Sequence, residues 1–149
     1  MHRVLVTGGC GFIGGAVVRR LLRESDVVVF NLDKIGYASD LSGIDQTLTD
    51  LGHEVQQGRH QLLQVDLVDP VATAAAVRQA DPDLVLHLAA ESHVDRSIDG
   101  PEVFLSSNVI GTFSLLQAVR AHWEALPQDR QAAFRFQHIS TDEVFGSLG

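Results

Sequence analysis

The feature that most constrains this chain is a glycine-rich turn set between a β-forming run and a helical one. Residues 4–7 read Val-Leu-Val-Thr, the turn Gly8, Gly9, Cys10, Gly11, Phe12, Ile13, Gly14 follows, and an apolar-periodic stretch begins at once. Strand, glycine turn and helix in that order open a β-α-β unit of the kind that carries a dinucleotide pyrophosphate. Each glycine has a task. Gly8 lets the chain turn tightly, Gly11 removes the side chain that would block a pyrophosphate, and Gly14 lets the helix lie close on the strand. The helix N-terminus behind them offers free N–H groups and a partial positive charge to phosphates.

The rest of the chain repeats the alternation. Short apolar runs at 4–7, 27–32, 61–65, 84–88 and 134–139 predict five strands, and helix-period stretches between them predict crossovers. Ile13, Ala16, Val17 and Leu21 form an apolar stripe for the first helix, opposite Arg19, Arg20 and Arg23. Pro70 opens a helix over 71–80, because proline is preorganised for the first helical turn. Pro101 heads a long periodic segment in which Phe104, Asn108, Gly111, Leu115 and Val119 recur at three- and four-residue spacing. The polar stretch 36–58 reads as a loop with a short helix near 41–51. The fold expected is therefore α/β: a Rossmann-type, doubly wound parallel sheet in three α/β/α layers, buried on both faces, forming one dinucleotide-binding domain over 1–149 and incomplete after the fifth strand.

Composition removes several function classes. A formal charge of −8 with no basic run offers nucleic acid no footing. The single cysteine, Cys10, cannot form an intramolecular disulfide, and the three apolar residues before Gly8 are too short for a signal peptide, so a cytoplasmic location is expected. No uninterrupted apolar run approaches the roughly 20 residues that cross a bilayer, so no membrane association is expected. His87 and His138 sit in strands without metal-ligand spacing, and no metal site is expected.

Asp33 ends the second strand 25 positions after Gly8, where an acidic residue accepts the hydroxyls of an adenosine ribose. NAD is favoured over NADP, since a carboxylate repels a 2'-phosphate, although the neighbouring Lys34 acts against that preference. Two further stretches lie at strand ends: His87-Leu-Ala-Ala-Glu91-Ser92-His93-Val94-Asp95-Arg96-Ser97, and His138-Ile-Ser140-Thr141-Asp142-Glu143-Val-Phe145-Gly146. Both fall on the rim where doubly wound folds bind ligands.

On these residues, from Val4 to Gly146, the chain resembles the dTDP-glucose 4,6-dehydratases of the extended short-chain dehydrogenase/reductase family. The resemblance implies NAD as cofactor and a nucleotide-sugar substrate, with dTDP-glucose favoured. It assigns Phe12 and Ile13 to the pyrophosphate, Asp33, Lys34, Ile35 and Gly36 to the adenosine, and Asp66 with Leu67 to the adenine. Ala89, Ala90, Glu91 and Ser92 line the nicotinamide half, and Ser107 matches a cofactor-contacting threonine. His93 falls on the substrate side, Thr141 at the sugar O4, and Asn108 matches the helix asparagine held to organise active-site water. Members of the family oxidise the sugar at C4, eliminate water across C5 and C6, and return hydride to C6. Elimination needs one group to protonate the leaving hydroxyl and another to take the C5 proton. The resemblance makes Asp142 the donor and Glu143 the acceptor, two adjacent carboxyls whose surroundings can separate their pKa values. Family members pair as homodimers through long helices, of which 101–123 is a candidate.

The superfamily's Tyr-x-x-x-Lys base pair is absent. The single tyrosine, Tyr37, is followed four positions later by Leu41. In the family the pair lies a few tens of residues beyond the Thr-Asp-Glu stretch. The chain by itself is therefore expected to be inactive, and its fifth strand to be an unprotected edge that leaves the isolated chain marginal or aggregation-prone. Two alternatives remain open at this point: another NAD-dependent nucleotide-sugar epimerase or decarboxylase, and a catalytically dead NAD-binding module.

Overall fold

A computed structural model describes residues 2–52 and 58–146, without the side chains of Val94, Arg96 and Glu143. Five strands, β1 (Arg3–Thr7), β2 (Val28–Asp33), β3 (His60–Gln64), β4 (Leu84–His87) and β5 (Arg135–His138), form one sheet in the order β3-β2-β1-β4-β5. Every pairing is parallel. Each strand lies within one residue of its expected ends.

The helices are α1 (Phe12–Glu24), α2 (Ser42–Asp50), α3 (Pro70–Ala80), α4 (Val94–Asp99), α5 (Pro101–Ala125) and α6 (Gln128–Ala133). α1 and α2 cover one face of the sheet, where Val4, Val6, Val18, Leu22, Val29 and Ile44 are buried together. α3 and α5 cover the other, around Leu5, Phe30, Leu32, Val77, Val85 and Leu115. The chain winds outward from β1 to β3, then returns to place β4 on the far side of β1. That reversal opens a crevice at the carboxyl ends of β1 and β4, the topological switch point of the fold. The expected architecture therefore forms, but burial on both faces holds only for the middle. β1 and β2 are sealed, whereas β3 and β5, at the sheet edges, are largely exposed.

Local signals explain most of these elements. α3 starts where Asp69 Oδ1 accepts from the N–H groups of Val71 and Ala72, both at 2.9 Å, with Pro70 in the first turn. It ends at Asp81, whose left-handed φ of 42° closes the last turn. Arg130 then ties that corner to β4, donating to Asp83 Oδ1 at 2.8 Å and to Asp81 Oδ1 at 3.1 Å. The polar stretch 36–58 carries α2 as expected; residues 53–57 of it lie outside the described residues.

Three findings depart from the sequence reading. The buried face of α1 is Gly14, Gly15, Val18 and Leu22, one position round from the expected stripe, and Ile13 is 62% exposed. The reason is Gly14: the helix rests on its bare backbone, which rotates the contact face toward it. The long helix α5 is interrupted by a π-helical segment over Leu105–Gly111 that periodicity did not reveal. α5 is also long and apolar enough to cross a membrane by length and composition, with a mean hydropathy of 1.2 and 22% of that window buried. A reading by uninterrupted runs finds no such segment and an average along the helix finds one, because polar residues scattered along it break every run while leaving one face apolar.

Gly14 sets the approach of α1 to β1. A Cβ placed there would lie 2.0 Å from the Gly8 carbonyl oxygen and 2.8 Å from its carbon, both backbone atoms that cannot rotate away. At Gly11 a Cβ would meet only the Gly8 oxygen, at 3.3 Å. Gly14→Ala is therefore expected to destabilise the fold by about 1–3 kcal/mol more than Gly11→Ala, measured by urea unfolding.

Candidate functional site

The turn after β1 forms the floor of the crevice. Gly8 adopts a φ of 72°, and its N–H donates to Leu32 O of β2 at 2.8 Å, so the turn is held to the neighbouring strand. A side chain at Gly8 is excluded twice, by that conformation and by Ala89, whose Cα would lie 2.7 Å from an added Cβ. The backbone after β4 thus rests directly on the turn after β1.

α1 begins at Phe12 with no side-chain cap and no acidic residue in its first turn. Its uncapped N–H groups and dipole can therefore take an anion. Phe12, at 95% exposure, stands out from that end as a large aromatic with its faces unprotected. Gly11, extended at φ −80° and ψ 177°, keeps open the space in front of the helix end.

Asp33 closes the second side. The residue is 8% exposed and its carboxylate engages three donors: Cys10 N–H at 3.0 Å on Oδ2, and Ile35 N–H at 2.8 Å with Ser39 Oγ at 3.1 Å on Oδ1. Asp40 N–H donates to Cys10 O at 2.7 Å, so the glycine turn and the β2 loop are fastened to each other from both directions. Ile35 pays for this sharp exit with a left-handed φ of 56°, a conformation uncommon for a β-branched residue. Burial, then the nearby Asp33 charge, pushes the Cys10 thiol up to about 11, so it stays protonated and unreactive.

Above the turn, Lys34 Nζ reaches Glu91 Oε1 at 2.6 Å, joining the β2 and β4 loops across the end of β1. Glu91 is held in turn by Asn108: its N–H donates to Asn108 Oδ1 at 2.8 Å, and Asn108 Nδ2 donates to its carbonyl at 2.9 Å. Asn108 lies in the π-helical segment of α5, a local widening of the kind frequent at functional sites.

A buried histidine connects these parts from below. Thr7 and His87 face each other in the β1–β4 register. Ala89 N–H donates to Thr7 Oγ1 at 3.3 Å, which leaves the Thr7 hydroxyl proton for His87 Nδ1 at 2.6 Å. Nε2 then carries the ring proton and donates to Thr112 Oγ1 of α5 at 2.9 Å. His87 is 1% exposed, and burial, with the neighbouring His138, depresses its pKa to about 4.

The structure thus brings Gly8, Gly11, Gly14, Asp33, Lys34, Ala89, Glu91 and Asn108 around one crevice. Ile35 and Gly36 lie in the β2 loop, Gly36 N–H donating to Ser39 Oγ at 3.0 Å. Other candidates stand apart. Asp66 Oδ1 accepts from Val68 N–H at 3.0 Å within its own turn, while Leu67 is buried under Gly111 in the core, so only its backbone is available. Ser107 belongs to the same π-helical segment as Asn108. Ala90, Ser92 and His93 are exposed on the β4 loop. Thr141 and Asp142 are exposed at the turn after β5, Thr141 Oγ1 lying 3.4 Å from Asp142 Oδ1, and the side chain of Glu143 lies outside the described residues. Sequence reasoning missed Ser39, Cys10 N–H and the Thr7–His87–Thr112 chain. Only the last had a signal, a threonine and a histidine ending strands that prove to be neighbours.

Comparison with known proteins extends this geometry. The family model described as GDP-mannose 4,6 dehydratase matches residues 5–149. The dTDP-glucose 4,6-dehydratase of Neisseria meningitidis serogroup B is 48% identical over 149 residues, which are 100% of this chain and 40% of that protein. Its counterpart in Escherichia coli is 47% identical over 146 residues, 98% of this chain and 38% of that one. The chain therefore spans about two fifths of the length of the curated relatives it matches. Among solved structures, a Streptomyces venezuelae dTDP-glucose 4,6-dehydratase with NAD bound is 37% identical at a TM-score of 0.73, covering 99% of this chain and 42% of its own. A Stenotrophomonas UDP-glucose-4-epimerase with bound NAD reaches a TM-score of 0.74 at 26% identity, covering 98% and 39%.

His87 makes the site pH-sensitive in stability. A histidine whose folded pKa lies below its ordinary 6.5 binds protons more readily when unfolded, so its stabilisation is complete above about 6.5 and is lost as pH falls toward about 4. The loss is on the order of 3 kcal/mol, and His87→Asn, which keeps an acceptor near Nδ1, should flatten the decline. Chemical denaturation repeated between pH 7 and pH 4 measures both slopes.

Proposed function

The chain belongs to the GDP-mannose 4,6 dehydratase family, and we propose that it is the NAD-binding part, over 1–149, of a nucleotide-sugar 4,6-dehydratase acting on dTDP-glucose. The observation that carries this reading is the crevice itself: an uncapped helix end, a side-chain-free Gly11 in front of it, and a buried Asp33 at the adjoining strand end. These groups fit a dinucleotide with its diphosphate against α1 and its adenosine ribose beside Asp33. The identities of 47–48% to dTDP-glucose 4,6-dehydratases support the substrate.

The chemistry that NAD supplies when bound is reversible hydride acceptance, from sugar C4 at the start and back to C6 at the end. The chain's residues act on the protons and on binding. Asp142 gives a proton to the departing C6 hydroxyl, Glu143 takes the C5 proton, and the Thr141 hydroxyl holds the sugar O4. Phe12, Ile13, Gly8, Gly11 and Gly14 form the diphosphate seat. Lys34, Ile35 and Gly36 frame the adenosine, with Asp66 and the backbone of Leu67 beyond them at the end of β3. Ala89, Ala90, Glu91, Ser92 and Ser107 frame the nicotinamide half, with His93 and Asn108 toward the sugar. The base for the C4 hydroxyl is not assigned among these residues, so activity is tested on the whole protein.

The bare face of α5 supports self-association as a homodimer. Leu105, Val109, Ile110, Phe113 and Leu116 are 45–62% exposed along it, while Gly111, Leu115 and Val119 pack inward. Val109→Glu with Phe113→Glu should convert a dimer to monomers in sedimentation velocity; an unchanged sedimentation coefficient would remove this face from the interface.

Two substitutions test the main reading. Gly11→Val keeps an allowed backbone but fills the space before the helix end, and should weaken NAD binding about 10- to 100-fold by calorimetry. Asp142→Asn should slow formation of the 4-keto-6-deoxy product by about 10²- to 10⁴-fold. A loss below tenfold would take the proton-donor role away from Asp142.

A further inference from the structure

Lys34 is the sequence feature that sits awkwardly beside a preference for NAD. It follows Asp33 directly, at the strand end where the two dinucleotides differ by a 2'-phosphate. A free ammonium there would attract that phosphate and offset the repulsion from Asp33. The structure gives this ammonium an occupation. Lys34 Nζ lies 2.6 Å from Glu91 Oε1, and the Glu91 side chain is 13% exposed against 37% for Lys34, so the contact is largely withdrawn from solvent on its acidic side.

Glu91 does not reach Lys34 by chance rotation of a loose loop. Asn108 clasps both backbone groups of Glu91, at 2.8 and 2.9 Å, and Asn108 is itself carried by the π-helical widening of α5. Asp33 is equally fixed, its two oxygens engaged by Cys10, Ile35 and Ser39. The ammonium is therefore paired with Glu91, whose backbone Asn108 holds, while the Asp33 carboxylate is occupied by its own three donors.

We propose that Glu91 is a specificity-determining residue: by holding Lys34 in an ion pair it withholds that charge from a 2'-phosphate, and so completes the selection of NAD over NADP that Asp33 begins. Asp33 supplies the repulsion and Glu91 removes the compensating attraction. The π-helical segment, through Asn108, is what keeps Glu91 at the required height above the turn. This inference rests on the dinucleotide reading given under Proposed function.

The test uses the whole protein freed of nucleotide, with NAD and NADP titrated separately by calorimetry. In the wild type, Lys34→Met should leave the NADP-to-NAD affinity ratio within about twofold, because the charge it removes is already neutralised. Glu91→Gln should raise the ratio about tenfold, the scale of one partly screened charge contact. Adding Lys34→Met to Glu91→Gln should return the ratio to the wild-type value, a reversal that a general disturbance of the loop would not produce. If Glu91→Gln does not fold by circular dichroism, Glu91→Asp decides: one methylene shorter, it should loosen the 2.6 Å contact and raise the ratio in the same direction. An unchanged ratio in a folded Glu91 variant, or a gain that survives loss of Lys34, overturns the proposal. A wild type that binds neither dinucleotide overturns the dinucleotide reading instead, so the two failures are distinct.

Discussion

The structure depends on how closely α1 approaches β1. With no side chain at Gly14, the helix backbone meets the Gly8 carbonyl directly, and this contact fixes where the helix ends point and how the turn is pitched. Everything in the crevice is then referenced to that turn. Leu32 O receives the Gly8 N–H, Cys10 is gripped by Asp33 and Asp40, and Ala89 rests against Gly8. A helix held even one methylene further away would separate its uncapped N–H groups from the strand tips that must share a ligand with them. The buried stripe of α1 shifts for the same reason, since the helix seats itself on its smallest residue and not on its most apolar one.

What could be read from the sequence follows the range of the interactions involved. Strand positions, the glycine turn and the Pro70 helix start rest on neighbouring residues, and they appear where periodicity and capping place them. Asp33 was legible because its spacing from Gly8 is set by one β-α-β unit. The pairing of Lys34 with Glu91, 57 positions apart, was not legible, because it requires knowing that β2 and β4 flank β1. The π-helical segment left no mark in composition. Its signal is the side-chain amide of Asn108 closing on the Glu91 backbone, a contact that exists only in three dimensions.

His87 shows how a polar group can serve a core without chemistry of its own. An unpartnered imidazole buried between two strands would be costly, yet here each ring nitrogen has one complementary partner, so the neutral ring joins β1, β4 and α5 at a single point. The same strand ends carry the crevice loops immediately above. Register between β1 and β4 is thereby specified by hydrogen bonding as well as by packing, one residue before the loops whose positions matter most.

On the proposed function, the acid pair Asp142 and Glu143 poses a different physical demand from the dinucleotide seat. Asp33 is buried and bonded within these residues, so its side of the crevice is preorganised. Thr141 and Asp142 lie exposed on the turn after β5. For one carboxyl to be held protonated beside another that is ionised, their surroundings must differ, and water must be kept from at least one of them. The proposed dinucleotide seat and the proposed proton transfers thus draw on different parts of the molecule, the first on contacts already made around β1 and the second on exposed groups after β5.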